Sequence, residues 1–222
     1  MDSEPEPPRG GTEYPAVSSI LGDRRHRLTV AILLERSRPT TIHDLGVRLA
    51  AREADVPPAD VTAAESRSIR VDLEHRCLPK LEAVGWIERR SEGVVAAEPP
   101  SLGIEALSLP DFRDPDHPSW DAIGVLLARP RRLDLVAILA DRRHPLSLDD
   151  LIAELRSSSH RDWPDDDRTL STTLHHVDLP ALAAAGLIEY DADDGMVART
   201  RRLLTFVERT AFDTDALELA SG

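Results

Sequence analysis

The chain is poor in the residues that staple small folds. It has one cysteine, Cys77, so no internal disulfide can form, and a reducing, cytoplasmic location is expected. Aromatic residues make up only 4% of 222 residues, so any core must be built from Leu, Val, Ile and Ala. Apolar runs are short. "VAILL" (30–34) is far below the length that spans a bilayer, and no membrane association is expected. The opening "MDSEPEPPRGGTEYP" lacks the basic and apolar regions of a signal peptide. It is acidic and rich in Pro and Gly, and residues 1–17 read as a disordered tail. Also missing are a phosphate-cradling Gly loop, a metal-ligand cluster and a nucleophile motif. The expectation is therefore no enzyme, no catalytic residue, no cofactor and no metal.

Lysine is nearly absent too. Lys80 is the only one among 27 basic residues, against 40 acids and a net charge of −13. A GC-rich genome would explain arginine in place of lysine but not the acids. Acidic excess suits a salt-rich cytoplasm, where the Debye length falls to about 3 Å at 1 M and self-repulsion is screened. A halophilic source is expected.

What the chain does have is an internal repeat. "VAIL" occurs at 30–33 and again at 136–139, an offset of 106 residues. Pro39, Asp44, Leu45 and Leu49 recur at that offset as Pro145, Asp150, Leu151 and Leu155. Further on the offset is 101: Leu73, His75, Leu78 and Pro79 recur as Leu174, His176, Leu179 and Pro180, and Gly85 recurs as Gly186. A chain of this length accommodates two small domains. The expected layout is the tail 1–17, a first domain 18–98, a linker 99–119, a second domain 120–198, and a C-terminal helix and tail 199–222.

Each copy reads as three helices and a hairpin. The first helix starts near Asp23, an N-cap, or with Pro130 at its N1 position, and runs through "VAIL". The second opens on Thr41-x-x-Asp44 or Ser147-x-x-Asp150, hydroxyl-x-x-acid capping pairs. The third begins near Arg67 or Arg168, with Asp165, Asp166 and Asp167 more fitted to capping it than to chelating a cation. "WIERRSEGVVAAE" and "LIEYDADDGMVART" then each show a strand, a polar turn with Gly, and a strand. The fold class expected is mainly α with small β-hairpins (α+β), arranged as tandem winged helix-turn-helix domains. In "RRLLTFVERTAF", Leu203, Val207 and Ala211 lie four apart and suit either a dimer helix or local packing.

The third helix contains an oddity in both copies: a proline four residues after a histidine, in "LEHRCLP" and "LHHVDLP". Pro79 and Pro180 deprive the carbonyls of His75 and His176 of their helical N–H partner. A bend is expected there, with Pro79, Pro180, Gly85 and Gly186 as its hinge. At about 100° per residue, Ile69 and Leu73 mark the buried stripe. Arg67, Val71 and His75 fall opposite, as do Arg168, Thr172 and His176. Two roles remain open for each imidazole: bonding to backbone or loop to finish the bend, or reaching a groove. Cys77 reads as a small buried residue.

"LHHVDLPALAAAGLIEYD" (174–191), with "PLSLDDL" (145–151) and "DDRTLSTTLHHVDLP" (166–180) upstream, resembles a haloarchaeal winged-helix domain family without an assigned function, with its H-x-x-L-P-x-L-x-x-x-G stretch. "LEHRCLPKLEAVGWIE" keeps that frame with altered flanks. More distantly, L-x-x-L-x-x-x-G before a hydrophobic strand resembles the end of the recognition helix in ArsR-like and MarR-like regulators. The resemblance implies a winged-helix fold and, by analogy, DNA binding.

Charge separates the copies. Residues 20–98 hold 13 acids and 13 bases, whereas residues 120–198 hold 15 acids and 8 bases, a net of −7. The candidate nucleic-acid-binding residues are Arg67, Ser68, Arg70, Val71, His75, Arg89 and Arg90 in the first copy and Arg168, Thr172 and His176 in the second. The competing reading of the arginines is a solvated face paired with nearby acids. The function expected is a DNA-binding transcriptional regulator that contacts double-stranded DNA through copy one, with copy two serving assembly as a homodimer or with a protein partner. The alternative is a protein-interaction or signalling scaffold that binds no DNA.

Overall fold

A computed structural model describes residues 14–97, 110–157 and 163–210, and the chain divides into two compact units, 1–103 and 104–222. Both are mainly helical, and each carries one small antiparallel sheet. The expected linker residues 99–109, most of the expected N-terminal tail, and Ala211 lie outside the described residues.

In the first unit, α1 (Tyr14–Leu21) begins four residues inside the stretch expected to be disordered, because Val17, Ile20 and Leu21 are all buried. Asp23 caps α2 (Arg24–Leu34) by accepting the Arg25 N–H at 2.9 Å. That helix is buried from His26 to Leu33 and forms the centre of the unit. Thr41 caps α3 (Ile42–Ala54) through the Asp44 N–H, as its spacing predicts, and Leu45 and Leu49 are fully buried.

The next helix, α4 (Ala63–Asp72), starts four residues earlier than Arg67. Thr62 and Glu65 form a reciprocal capping box there, Thr62 N–H to Glu65 Oε2 at 2.9 Å and Glu65 N–H to Thr62 Oγ1 at 3.3 Å. A π turn (Leu73–Cys77) then leads into α5 (Leu78–Ala83). β1 (Ile87–Arg90) and β2 (Gly93–Ala96) form the hairpin, and Thr40 bridges to Val94 beside it.

The second unit repeats this order. α6 (Trp120–Ala128) stands 106 residues after α1, so the duplicated unit includes a helix that the three-helix reading left out. Phe112 packs on Trp120 with ring centroids 4.9 Å apart. α7 (Arg132–Asp141) begins two residues beyond Pro130, which lies in a turn closed by the Arg132 N–H on the Arg129 carbonyl, so Pro130 is not at N1. β3 (Leu146–Ser147) precedes α8 (Leu148–Ser157) and pairs with the hairpin. α9 (Asp167–Thr173), capped by Asp166, continues through a second π turn (Leu174–Asp178) into α10 (Leu179–Ala184). β4 (Ile188–Asp191) and β5 (Met196–Arg199) complete a sheet of order β3-β5-β4.

α11 (Arg201–Arg209) packs against α7 of its own unit. Its buried face is Leu203, Phe206 and Thr210, with Val207 only half-buried, so the apolar stripe differs from the one the spacing suggested.

Candidate nucleic-acid interface

The duplicated proline sits on a duplicated π turn. The Leu78 N–H donates to the Leu73 carbonyl and the Leu179 N–H to the Leu174 carbonyl, each spanning five residues instead of four. Pro79 and Pro180 then fall in the first turn of α5 and α10, where a missing N–H costs little. The expected simple bend is thus a single wide turn, which π-bulges commonly provide inside α-helices. It also resets the helix phase. The buried stripe passes from Leu73 to the adjacent pair Cys77 and Leu78 and on to Leu81. The second unit does the same through Leu174, Asp178, Leu179 and Leu182. Gly85 (φ +74°) and Gly186 (φ +71°) make the left-handed exit to each hairpin.

The histidine side chains do not finish this turn. His75 is exposed and makes no side-chain hydrogen bond among the described residues. His176 is exposed and meets only the edge of the His175 ring, with centroids 4.4 Å apart. These neighbouring rings therefore touch edge to face.

Opposite the buried stripe, the two copies carry one exposed pattern at four-residue spacing. Arg67, Val71 and His75 are all exposed, and so are Arg168, Thr172 and His176. Val71 is 52% exposed, high for an apolar side chain flanked by charge. Thr172 donates its hydroxyl to the Arg168 carbonyl at 2.8 Å. Ser68 is also exposed and Arg70 is half-buried.

Ion pairing sorts the arginines of the first copy. Arg67 and Arg70 have no acidic partner among the described residues. Arg89 is paired with Glu82 at 3.0 Å and Arg90 with Glu88 at 2.8 Å. The reading of a paired, solvated arginine face thus fits the hairpin and not the helix. Two of the three nearby acids are engaged elsewhere. Glu65 is folded into the capping box, and Asp72 holds Arg25 at 2.9 Å and Arg76 at 3.0 Å. Glu74 stays exposed.

The second copy is arranged differently around the same helix. His175 and Tyr190 stand where the first copy has Glu74 and Arg89, and their Nδ1 and hydroxyl are 2.5 Å apart, tying the hairpin to the helix. Burial and the adjacent Asp191 push the Tyr190 phenol above its usual range. Asp191 accepts the N–H groups of Asp193 and Asp194, which fixes the acidic turn. Among the described residues Arg168 has no acidic partner, but no basic residue accompanies it on the hairpin turn.

Beneath these helices lie buried polar groups that the sequence reading did not single out. Asp178 is fully buried and binds Arg131 and Arg132, each at 2.8 Å. The equivalent positions in the first copy are Cys77, Arg25 and His26. Cys77 Sγ lies 3.4 Å from Thr29 Oγ1, and burial raises its thiol to about 11. His26 is 1% exposed. Only the duplication signalled these sites, since a charge aligned with an apolar residue at a repeat offset marks a shared core position.

Among the described residues, no group of three or more His, Cys, Asp and Glu side chains could hold a metal ion, and no helix is long and apolar enough to cross a membrane. No curated protein and no solved structure matches the chain. A domain of unknown function, DUF7344, matches residues 18–96 and again residues 125–198, and the chain therefore belongs to that family, carrying its domain in two tandem copies.

Proposed function

We propose that the protein is a DNA-binding transcriptional regulator of a halophilic cytoplasm, built from two winged-helix domains, and that the first copy contacts the duplex. The observation that carries this reading is the pair Arg67, exposed, and Arg70, half-buried, cations on α4 with no carboxylate partner among the described residues. An unpaired guanidinium is ready for phosphate or a guanine edge, whereas Arg89 and Arg90 must first leave Glu82 and Glu88. The helix–turn–helix of α3 and α4, followed by a hairpin, fits the winged-helix plan, with α4 as the helix offered to the major groove. A homodimer would supply two such helices to two half-sites.

The test is duplex binding of the full chain at molar KCl, beside Arg67→Ala/Arg70→Ala and Arg89→Ala/Arg90→Ala. The helix pair is expected to lose at least tenfold in affinity and the hairpin pair much less, from the usual worth of direct arginine contacts. Unchanged affinity in the helix variant would sink the assignment.

A second reading, an interaction or signalling scaffold, is favoured for the second copy by its net charge of −7 and its acidic hairpin turn. Genome-wide chromatin capture in the native host without enrichment would move the whole chain to that reading. A strictly monomeric solution mass would remove the dimer.

A further inference from the structure

We infer that Val71 is a specificity-determining residue that reads the C5-methyl group of a thymine, an inference that rests on the DNA-binding reading above. Most large apolar side chains of the described residues are covered, yet Val71 is 52% exposed at the middle of the charged face of α4. Arg67 lies one turn before it and His75 one turn after, both exposed. His75 stays exposed on this face, while the π turn lets the adjacent Cys77 and Leu78 both turn inward.

The duplication retains the feature. The residue at the same place in the second copy is Thr172, which has the branched shape of valine. Its hydroxyl is turned to the Arg168 carbonyl at 2.8 Å, so the chemistry left for a partner is its methyl group. Arg168 and His176 flank it at the same spacing. Two helices that differ at most surface positions thus both present a methyl between an arginine and a histidine.

Charge and shape select the occupant. Arg67 and Arg70, without an acidic partner among the described residues, call for an anionic partner. An apolar group between hydrogen-bond donors of an arginine and a histidine matches a DNA major groove, where only thymine among the standard bases offers a methyl beside hydrogen-bond acceptors. Molar salt suppresses the phosphate contribution steeply but does not screen a methyl contact. Such a contact therefore gains relative weight in a chain of net charge −13.

The experiment uses the full chain and duplexes selected from a random pool at molar KCl. Each thymine of the selected sequence is replaced singly by uracil, which pairs identically and lacks the methyl. Replacement at one thymine is expected to weaken wild-type binding about three- to tenfold, the worth of one or two buried methyl contacts. Val71→Ala should lose that sensitivity at the same position, and Val71→Thr should keep it. If a duplex is selected but no uracil replacement matters, or Val71→Ala responds as wild type does, the inference falls and DNA binding stands. If no duplex is enriched, both fall.

Discussion

Arg132 Nε lies 2.8 Å from Asp178 Oδ1, with the two side chains 7% and 0% exposed. Arg131 reaches the other carboxylate oxygen, also at 2.8 Å. The Arg132 guanidinium further donates to the Val125 carbonyl at 2.8 Å, joining α6, α7 and the π turn. Removing the carboxylate would take the shared counter-charge from two partly or wholly buried cations. Asp178→Ala is expected to destabilise the second unit by about 3–5 kcal/mol, the usual cost of breaking a buried pair. Urea unfolding followed by hydrogen exchange in α7 checks this, and a loss below about 1 kcal/mol would contradict it.

The same core position can be exchanged between copies. His26→Arg alone buries a cation without the carboxylate that Asp178 supplies in the second unit, and Cys77→Asp alone buries a carboxylate without the counterpart of Arg132. Each is expected to destabilise the first unit. Together they rebuild the pair of the second unit, so the double variant should be more stable than the two losses predict, by about 1–3 kcal/mol of coupling. Additive losses would mean that the surrounding core of the first unit rejects the ion pair.

His26 gives the first unit an acid limit. Burial pushes the imidazole below its ordinary range, Asp23 works against that, and Lys80 and Arg76 add to it. Asp23 Oδ2 is 3.1 Å from Nδ1, and among the described residues neither ring nitrogen meets a partner in good hydrogen-bond geometry. The folded state thus disfavours the protonated ring, while the unfolded chain takes up a proton near pH 6.5. Stability is complete above that pH and declines as pH falls below it, by no more than about 1.4 kcal/mol per pH unit. Asp23 titrates below its usual range and leaves this window clear. Hydrogen exchange of the α2 amides from pH 7.5 to 5 should follow this course in wild type and be flat in His26→Phe.

Two glycines with positive φ should respond unequally to alanine. At Gly93 (φ +142°) a Cβ would lie 2.4 Å from the Thr40 carbonyl oxygen, inside the bridge that joins Thr40 to Val94. At Gly85 (φ +74°) a Cβ would meet nothing within 4 Å. Gly85→Ala is expected to cost about 1–2 kcal/mol from backbone strain alone. Gly93→Ala must also separate Thr40 from the hairpin, and it should cost more. Thermal unfolding of both variants gives the ranking, and equal losses would show that the Thr40 bridge contributes nothing.

Much of the chain was legible because repeated spacing is a strong signal. Thr41 and Ser147 cap their helices through Asp44 and Asp150 N–H groups as the hydroxyl-x-x-acid spacing requires. Cys77 is buried, and the positive φ of Gly85 and Gly186 follows from a helix that must turn sharply into a hairpin. The Thr62–Glu65 box was hidden in a loop rich in Pro and Ala, and α1 in a stretch whose polar composition outweighed three buried residues. On the candidate surface, the sequence placed Arg67, Val71 and His75 on one face, but pairing depends on which acid each guanidinium can reach. Glu82 reaches Arg89 across seven residues, and Asp72 is drawn away to Arg25, 47 residues distant.

The sequence by itself determined the duplication, the order of three of the helices and the hairpin in each copy, and the place where the helix before each hairpin must deviate from α geometry. Those follow from local rules, since periodicity, caps and a proline act within a few residues. Tertiary structure alone decided that the deviation is a π turn, that His75 and His176 do not bond back to close it, and that among the described residues Arg67 and Arg70 have no acidic partner while Arg89 and Arg90 do. It also decided that one copy closes its core with Asp178 and two arginines and the other with Cys77 and His26. These are matters of distance between residues remote in the chain, and only packing sets such distances.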